Sequence, residues 1–263
     1  MTIWFIYFAV GIIATTFGSL AGLGGGVIIK PVLDLLGHYD VGTISILSAA
    51  TVFSMAVVSL VNSRKTEVNV NVPQSLTLAI GSIIGGIIGK LSFNEIVNAI
   101  GISDLVTVIQ SVMIASLMVA IYIFVRYSHQ LKSFYVQNVI IIIIMGFILG
   151  LIAAFLGIGG GPFNVAILAL FFSMSPKESA LNSIFIIFFS QISALLFTAL
   201  TTGFAQYDLS MLGYMIVGGI LGGYLGSQIS KRISNLIVTK IFTIGLVGII
   251  FISLFNIARY FIA

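Results

Sequence analysis

GLGGGVIIKPVL at residues 22–33 and GIGGGPFNVAIL at residues 157–168 decide how the rest of the chain is read. Gly22-Leu23-Gly24-Gly25-Gly26 returns as Gly157-Ile158-Gly159-Gly160-Gly161, an offset of 135 residues. Farther on, Gly81, Gly85, Gly86 and Gly89 return as Gly218, Gly222, Gly223 and Gly226, an offset of 137 residues. Between these anchors Ser48 falls on Ser183. Two glycine patterns recurring in the same order with so little drift mark an internal repeat. The chain divides into two homologous halves, residues 1–127 and 128–263, within one integrated domain.

The setting of that domain follows from composition. Charged residues are 7% of the 263, against roughly 25% in a soluble domain. Apolar residues are 59%, and apolar runs near the ~20 residues that cross a bilayer recur along the chain. The lipid bilayer is thus the first partner. The net charge of +4 is carried by short loops and is no nucleic-acid footprint. The absence of cysteine excludes disulfides, thiol catalysis and thiolate metal sites. The first twenty residues lack a basic leader and have an internal counterpart, so they read as a mature membrane helix.

Each half reads as the same series of helices. In the first these are about 3–22, a short piece 26–37, then 43–63, 74–91 and 104–125. In the second they are about 138–156, a short piece 161–172, then 180–201, 208–226 and 235–260. A piece of ~12 residues gives ~18 Å of helix, too little to cross ~30 Å of hydrocarbon. Both short pieces follow a triple glycine and carry a proline, Pro31 or Pro162. A broken or re-entrant helix fits both. The fold class is therefore an all-α polytopic membrane protein, with about eight full transmembrane helices plus two short ones.

Basic residues orient the halves. If each short piece returns the chain to the side where its hairpin began, Arg64, Lys65, Arg126, Lys132, Lys177, Lys231 and Arg232 all face the cytoplasm. Lys90 and Arg259 then lie toward the other side. An odd number of passes per half makes the repeats inverted, as in many secondary transporters. The expected location is the cell membrane, multi-pass, with both termini outside.

The glycine breaks are the leading candidates for a binding site. Glycine lets a ligand approach the main chain, and a helix starting just beyond offers free N–H groups and a positive dipole end to an anion. Gly24, Gly25, Gly26, Gly159, Gly160 and Gly161 are the residues of that site, against the plainer reading that they only permit tight crossing. Lys30 is a cation at membrane depth, where a charge is costly; it either reaches substrate or pairs with Asp34 one turn on. Ser48 and Ser183, related by the repeat, lead the polar faces that include Ser45, Thr51, Ser59, Asn182, Ser190, Gln191 and Ser193. Hydroxyls and amides suit a desolvated oxyanion, and equally suit interhelical bonds. Asn164 joins them by position. The rows Gly81/Gly85/Gly89 and Gly218/Gly222/Gly226 read as packing ridges. His38 and His129 fall in loops on opposite sides, and Trp4, Tyr7, Tyr127 and Tyr260 suit the interface.

Enzyme motifs are missing. The sequence holds no HExxH, no GxSxG, no phosphate-binding loop and no carboxylate pair in a predicted span. The chain is read as no enzyme, with no catalytic residues, no metal site and no cofactor.

The paired motifs GLGGGVIIKPVL and GIGGGPFNVAIL, in a compact two-repeat membrane protein, resemble the sulfite exporter TauE/SafE family over nearly the whole chain. The resemblance implies transport of sulfite, organosulfonates or other small sulfur-containing anions. It points to Gly24, Gly25, Gly26, Pro31, Gly159, Gly160 and Gly161. The family often places a proline in the second motif where this chain has Ala166; here the proline is Pro162.

The resulting expectation is a secondary transporter of a small anionic substrate working by alternating access, with the anion held between the broken helices. Proton or ion coupling would fall to Asp34 or Glu178. The alternatives are a passive anion channel and a non-transporting membrane scaffold.

Overall fold

A backbone out of reach of water must satisfy its own hydrogen bonds, and the apolar runs of this chain do so as helices. The computed structural model describes residues 3–64, 70–100, 103–127 and 134–262. Lys65, His129 and Lys132 lie outside the described residues. In order come α1 (Ile3–Ala21), α2 (Gly26–Leu36), α3 (Val41–Ser63), α4 (Val72–Ile100) and α5 (Ser103–Tyr127). Then follow α6 (Val139–Leu156), α7 (Gly161–Phe172), α8 (Pro176–Leu200), α9 (Leu212–Arg232) and α10 (Asn235–Ile262). Among the described residues eight helices are long and apolar enough to cross a membrane. The other two, α2 and α7, have 11 and 12 residues. The chain is an all-α polytopic membrane protein.

Side chains set several of the helix starts. Asp40 caps α3 by accepting from the N–H groups of Gly42 and Thr43, and Asn138 caps α6 in the same way. Ser175 and Glu178 form a capping box at α8, with Pro176 in its first turn. Glu178 is thereby committed to a helix end, with its carboxylate 2.7 Å from the Ser175 N–H. Four boundaries differ from expectation by four residues or more; among them α8 starts at Pro176 rather than 180, and α9 runs on to Arg232 rather than 226. No glycine or proline stands between Leu91 and Ile100, so α4 runs on past 91. Asp208 folds a local turn by accepting from the Ser210 N–H, and α9 begins only at Leu212.

Without a hydrophobic drive between helices in lipid, close packing must hold the bundle, and glycine supplies it. The α4 ridge meets α6 backbone to backbone. A Cβ on Gly81, Gly85 or Gly89 would collide with the carbonyls of Ile143, Phe147 and Leu151, and one on Gly146 or Gly150 with those of Leu78 and Ser82. The α9 ridge meets α1 likewise, Gly218 against Phe8 and Gly11, Gly222 against Ile12 and Thr15, Gly226 against Thr16 and Ser19. Both rows are the packing ridges expected.

The aromatic residues divide by depth. Trp4, 39% exposed, stacks on Tyr214, as a residue at the boundary would. Tyr7 does not behave as the expected interfacial anchor. Its side chain is fully buried, and its hydroxyl meets His38 Nδ1 at 3.0 Å, which ties α1 to the α2–α3 turn.

Candidate functional site

The two glycine breaks are built alike. Gly22, Gly24 and Gly25 have φ of 71°, 80° and 74° along the first, and Gly157, Gly159 and Gly160 have φ of 68°, 74° and 76° along the second. These left-handed angles turn the chain sharply without a Cβ penalty. Gly25 and Gly160 are the residues from which α2 and α7 start. Pro162 takes the first turn of α7, whereas Pro31 lies inside α2, where its carbonyl accepts from Asn256 Nδ2 at 3.1 Å.

The breaks touch one another. A Cβ on Gly26 would lie 3.1 Å from the Ile158 carbonyl and 3.1 Å from Ser48 Oγ. The reciprocal contact is closer, with Gly161 pressed against the Leu23 carbonyl. Ser183 ties both together, donating to the Gly22 carbonyl at 2.7 Å and reaching the Gly161 carbonyl at 3.3 Å. Asn164 is buried and folds its amide back over Gly160.

Lys30 crosses from α2 to the other break. It is 1% exposed, its Nζ donates to Gln110 Oε1, and a Cβ on Gly157 would come within 2.9 Å of that nitrogen. Gln110 in turn donates to the Phe155 carbonyl at 2.9 Å, and the ammonium lies 5.9 Å from the Phe93 ring centroid. Lys30 thus takes a neutral amide on α5 as its hydrogen-bond partner, where the sequence offered Asp34.

Since the two helix starts abut, free space lies beside them. A cavity of about 50 Å³ opens against the second break, whose Gly157 and Gly159 form part of its wall. Ser45 of α3, Ser82 and Lys90 of α4, and Ser190, Gln191 and Ser193 of α8 supply the polar lining. Gln191 Nε2 stands 3.0 Å from where a Cβ on Gly159 would be. Lys90 is half-buried at this wall and donates to Thr198 Oγ1 at 2.5 Å. The lining contains one cation and no carboxylate. The positive dipole end of α7 starts immediately behind Gly159 and Gly160.

Of the residues expected from sequence, Gly159 stands in the cavity wall together with Ser45, Ser190, Gln191 and Ser193 of the polar faces. Lys30, Ser48, Asn164 and Ser183 stand one layer back, holding the breaks in shape. Ser82 and Lys90 were missed. Their signal was present as the stripe Ser82, Gly86, Lys90, spaced one helical turn apart, and all three line the cavity. Asn182 serves packing, its Oδ1 accepting from Ser75 Oγ at 2.6 Å and from the Asn71 N–H at 2.8 Å.

Residues 7–254 match the family model described as "Sulfite exporter TauE/SafE". The chain belongs to the sulfite exporter TauE/SafE family. A curated relative, "Probable membrane transporter protein YunE" of Bacillus subtilis (strain 168), is 28% identical over 211 residues, covering 72% of this chain and 75% of the relative. No solved structure matches the chain significantly. Members of the TauE/SafE family are membrane transporters and not enzymes, and this chain is accordingly a transporter.

Proposed function

We infer that the protein is a secondary transporter of a small anion, of the sulfur oxyanion or organosulfonate class, that binds in the Lys90 cavity. The observation that carries this reading is the polar part of the wall: one ammonium, several hydroxyls, an amide and the two glycines of the second break, with no carboxylate. Such groups replace the hydration of an oxyanion through hydrogen bonds and a single positive charge. The cavity has room for a few heavy atoms, which favours sulfite-sized cargo or the sulfonate end of a short organosulfonate. The family description agrees with that class.

Alternating access between two inverted repeats, residues 1–127 and 128–263 with both termini outside, is the mechanism proposed. The packing supports the two-fold repeat on which it depends. Exchanging the halves converts the α4–α6 pairing into α9–α1 and the α2–α3 pairing into α7–α8, and all four pairs are present.

The test is thermal stabilisation of the purified protein by sulfite, sulfate, thiosulfate, taurine, sulfoacetate, acetate, phosphate and chloride, followed by flux into liposomes. A ligand of the folded state at one hundred times its Kd stabilises by ~2.7 kcal/mol. A selective shift with one sulfur oxyanion, and accelerated exchange when the far side is loaded with it, is the expected result. Folded protein that neither shifts nor carries any of these anions removes the reading; flux without exchange acceleration replaces it with a channel.

A further inference from the structure

At the far end of α3 from Ser45, three helices are sewn together by polar side chains. Ser19 Oγ of α1 meets Ser59 Oγ of α3 at 2.8 Å, and both reach the Gly223 carbonyl of α9, at 3.2 and 3.4 Å. Asn62 Nδ2 donates to Ser227 Oγ at 2.6 Å, while its Oδ1 accepts from Gln228 Nε2 at 3.3 Å and Lys231 Nζ at 3.2 Å. The cluster is tight, with Ser19 3%, Ser59 1% and Ser227 9% exposed.

Under the register of the glycine repeats, five of these seven residues have a counterpart at the Lys90 cavity. An offset of 135 carries Ser19 to Ala154, Ser59 to Ala194 and Asn62 to Phe197, and an offset of 137 relates Gly223 to Gly86 and Ser227 to Lys90. All five counterparts line the Lys90 cavity. Equivalent positions therefore enclose space at one end of the bundle and touch at the other. The two ends also differ chemically. Ala154 and Ala194 have no hydroxyl and Phe197 no amide, so the cavity cannot close on the bonds that hold the cluster.

We propose that the Ser19–Ser59–Gly223 and Asn62–Ser227 contacts are the closed gate over a latent second chamber, the counterpart of the Lys90 cavity, which opens as that cavity shuts. The proposal rests on the transport reading and adds to it a resting preference: without cargo the gate stays latched and the Lys90 cavity stays open, because the Lys90–Thr198 bond spans the equivalent pair α4 and α8 without closing the space between them. Cargo moves the equilibrium only by binding better to the forms in which the latch is broken. With inverted repeats and outer termini, the latched end is the cytoplasmic one.

The chain has no cysteine, so introduced thiols report alone. Two reporters are compared on detergent-purified protein, where a charged methanethiosulfonate reaches both ends. Ala194→Cys stands in the cavity wall; Ala56→Cys aligns with Gln191 and is fully buried behind the latch. Ala194→Cys should react at least tenfold faster, and adding Asn62→Ala should speed Ala56→Cys by about tenfold. Equal rates for the two reporters, or an Ala56→Cys that Asn62→Ala leaves protected, overturn the gate. A second variant, Ser19→Cys with Ser59→Cys, is oxidised to lock the contact. The locked protein should keep its thermal shift with sulfite yet lose at least tenfold in sulfite flux, both restored to parent values on reduction. Full flux through the locked protein overturns the gate. An unaltered parent that neither binds nor carries sulfite, while the reporters behave as stated, sinks the sulfite-transport reading and leaves the gate standing.

Discussion

The Ser183 hydroxyl donates to the Gly22 carbonyl at 2.7 Å, so a helix of the second half holds the glycine break of the first. The same oxygen lies 3.3 Å from the Gly161 carbonyl. One buried hydroxyl thus stands between the two breaks. Ser183→Ala leaves a main-chain carbonyl without its partner at a site closed to water, which costs about 1–3 kcal/mol. Thermal unfolding in detergent should record that loss, with anion affinity falling alongside because the breaks shape the cavity wall. An unchanged unfolding temperature would mean that the Gly22 carbonyl finds another donor.

Gly25 and Gly160 start α2 and α7 at φ of 74° and 76°. A β-branched residue is strained there by about 1–3 kcal/mol, before any collision is counted. Gly25→Val and Gly160→Val should each abolish anion flux in liposomes while membrane insertion remains intact. Normal flux in both would remove the breaks from the transport mechanism.

Lys90 and Lys30 separate by experiment. Charge-assisted hydrogen bonds contribute ~1.5–3 kcal/mol, so Lys90→Gln should lower kcat/KM for the transported anion by about ten- to a hundredfold. Lys90→Arg should retain part of the activity by keeping the charge. If Lys90→Gln carries the anion at the parent rate, the cation in the wall is not a ligand.

Lys30 should read out as stability. Gln110→Leu strands a buried ammonium and a carbonyl and should destabilise the protein by about 2 kcal/mol. Lys30→Met added to it should recover part of the loss, since the apolar pair no longer buries an unmatched charge. Strict additivity of the two substitutions in thermal unfolding would show that they do not act as a pair.

Glycine ridges make a further prediction. Gly85→Ala thrusts a methyl into the Phe147 carbonyl and should cost at least about 1–3 kcal/mol. Gly248→Ala meets nothing within 4 Å and should be neutral or slightly stabilising, since alanine is the better helix former. Equal unfolding temperatures for the two variants would contradict the backbone-to-backbone packing.

The sequence disclosed the helices well because their apolar runs and glycine punctuation are local signals. The short helices α2 and α7 were legible to within a residue, since glycine with positive φ marks each start. The cavity was less legible. Lys90 sits at the end of a glycine ridge and reads as a surface charge until α4 is seen to continue to Ile100. Lys30, the more conspicuous buried cation, proved to brace Gly157 from behind. Whether Lys90 faces open space depends on the rotation of α4, which is set by the partner ridge on α6, far along the chain. The burial of Tyr7 is hidden from the sequence for a different reason: His38 and Tyr39 are folded over it by the α2–α3 turn.

The glycine ridges are cross-wired. The α4 ridge fits against α6, and the α9 ridge against α1, so each half's ridge meets its surface in the other half. A ridge of bare backbone facing lipid has neither the contacts nor the shape of a finished helix surface. The protein is therefore not two self-sufficient modules strung together, whatever its ancestry. Each half is a template that the other completes during assembly, and a chain severed between them would mature only where both pieces are made side by side.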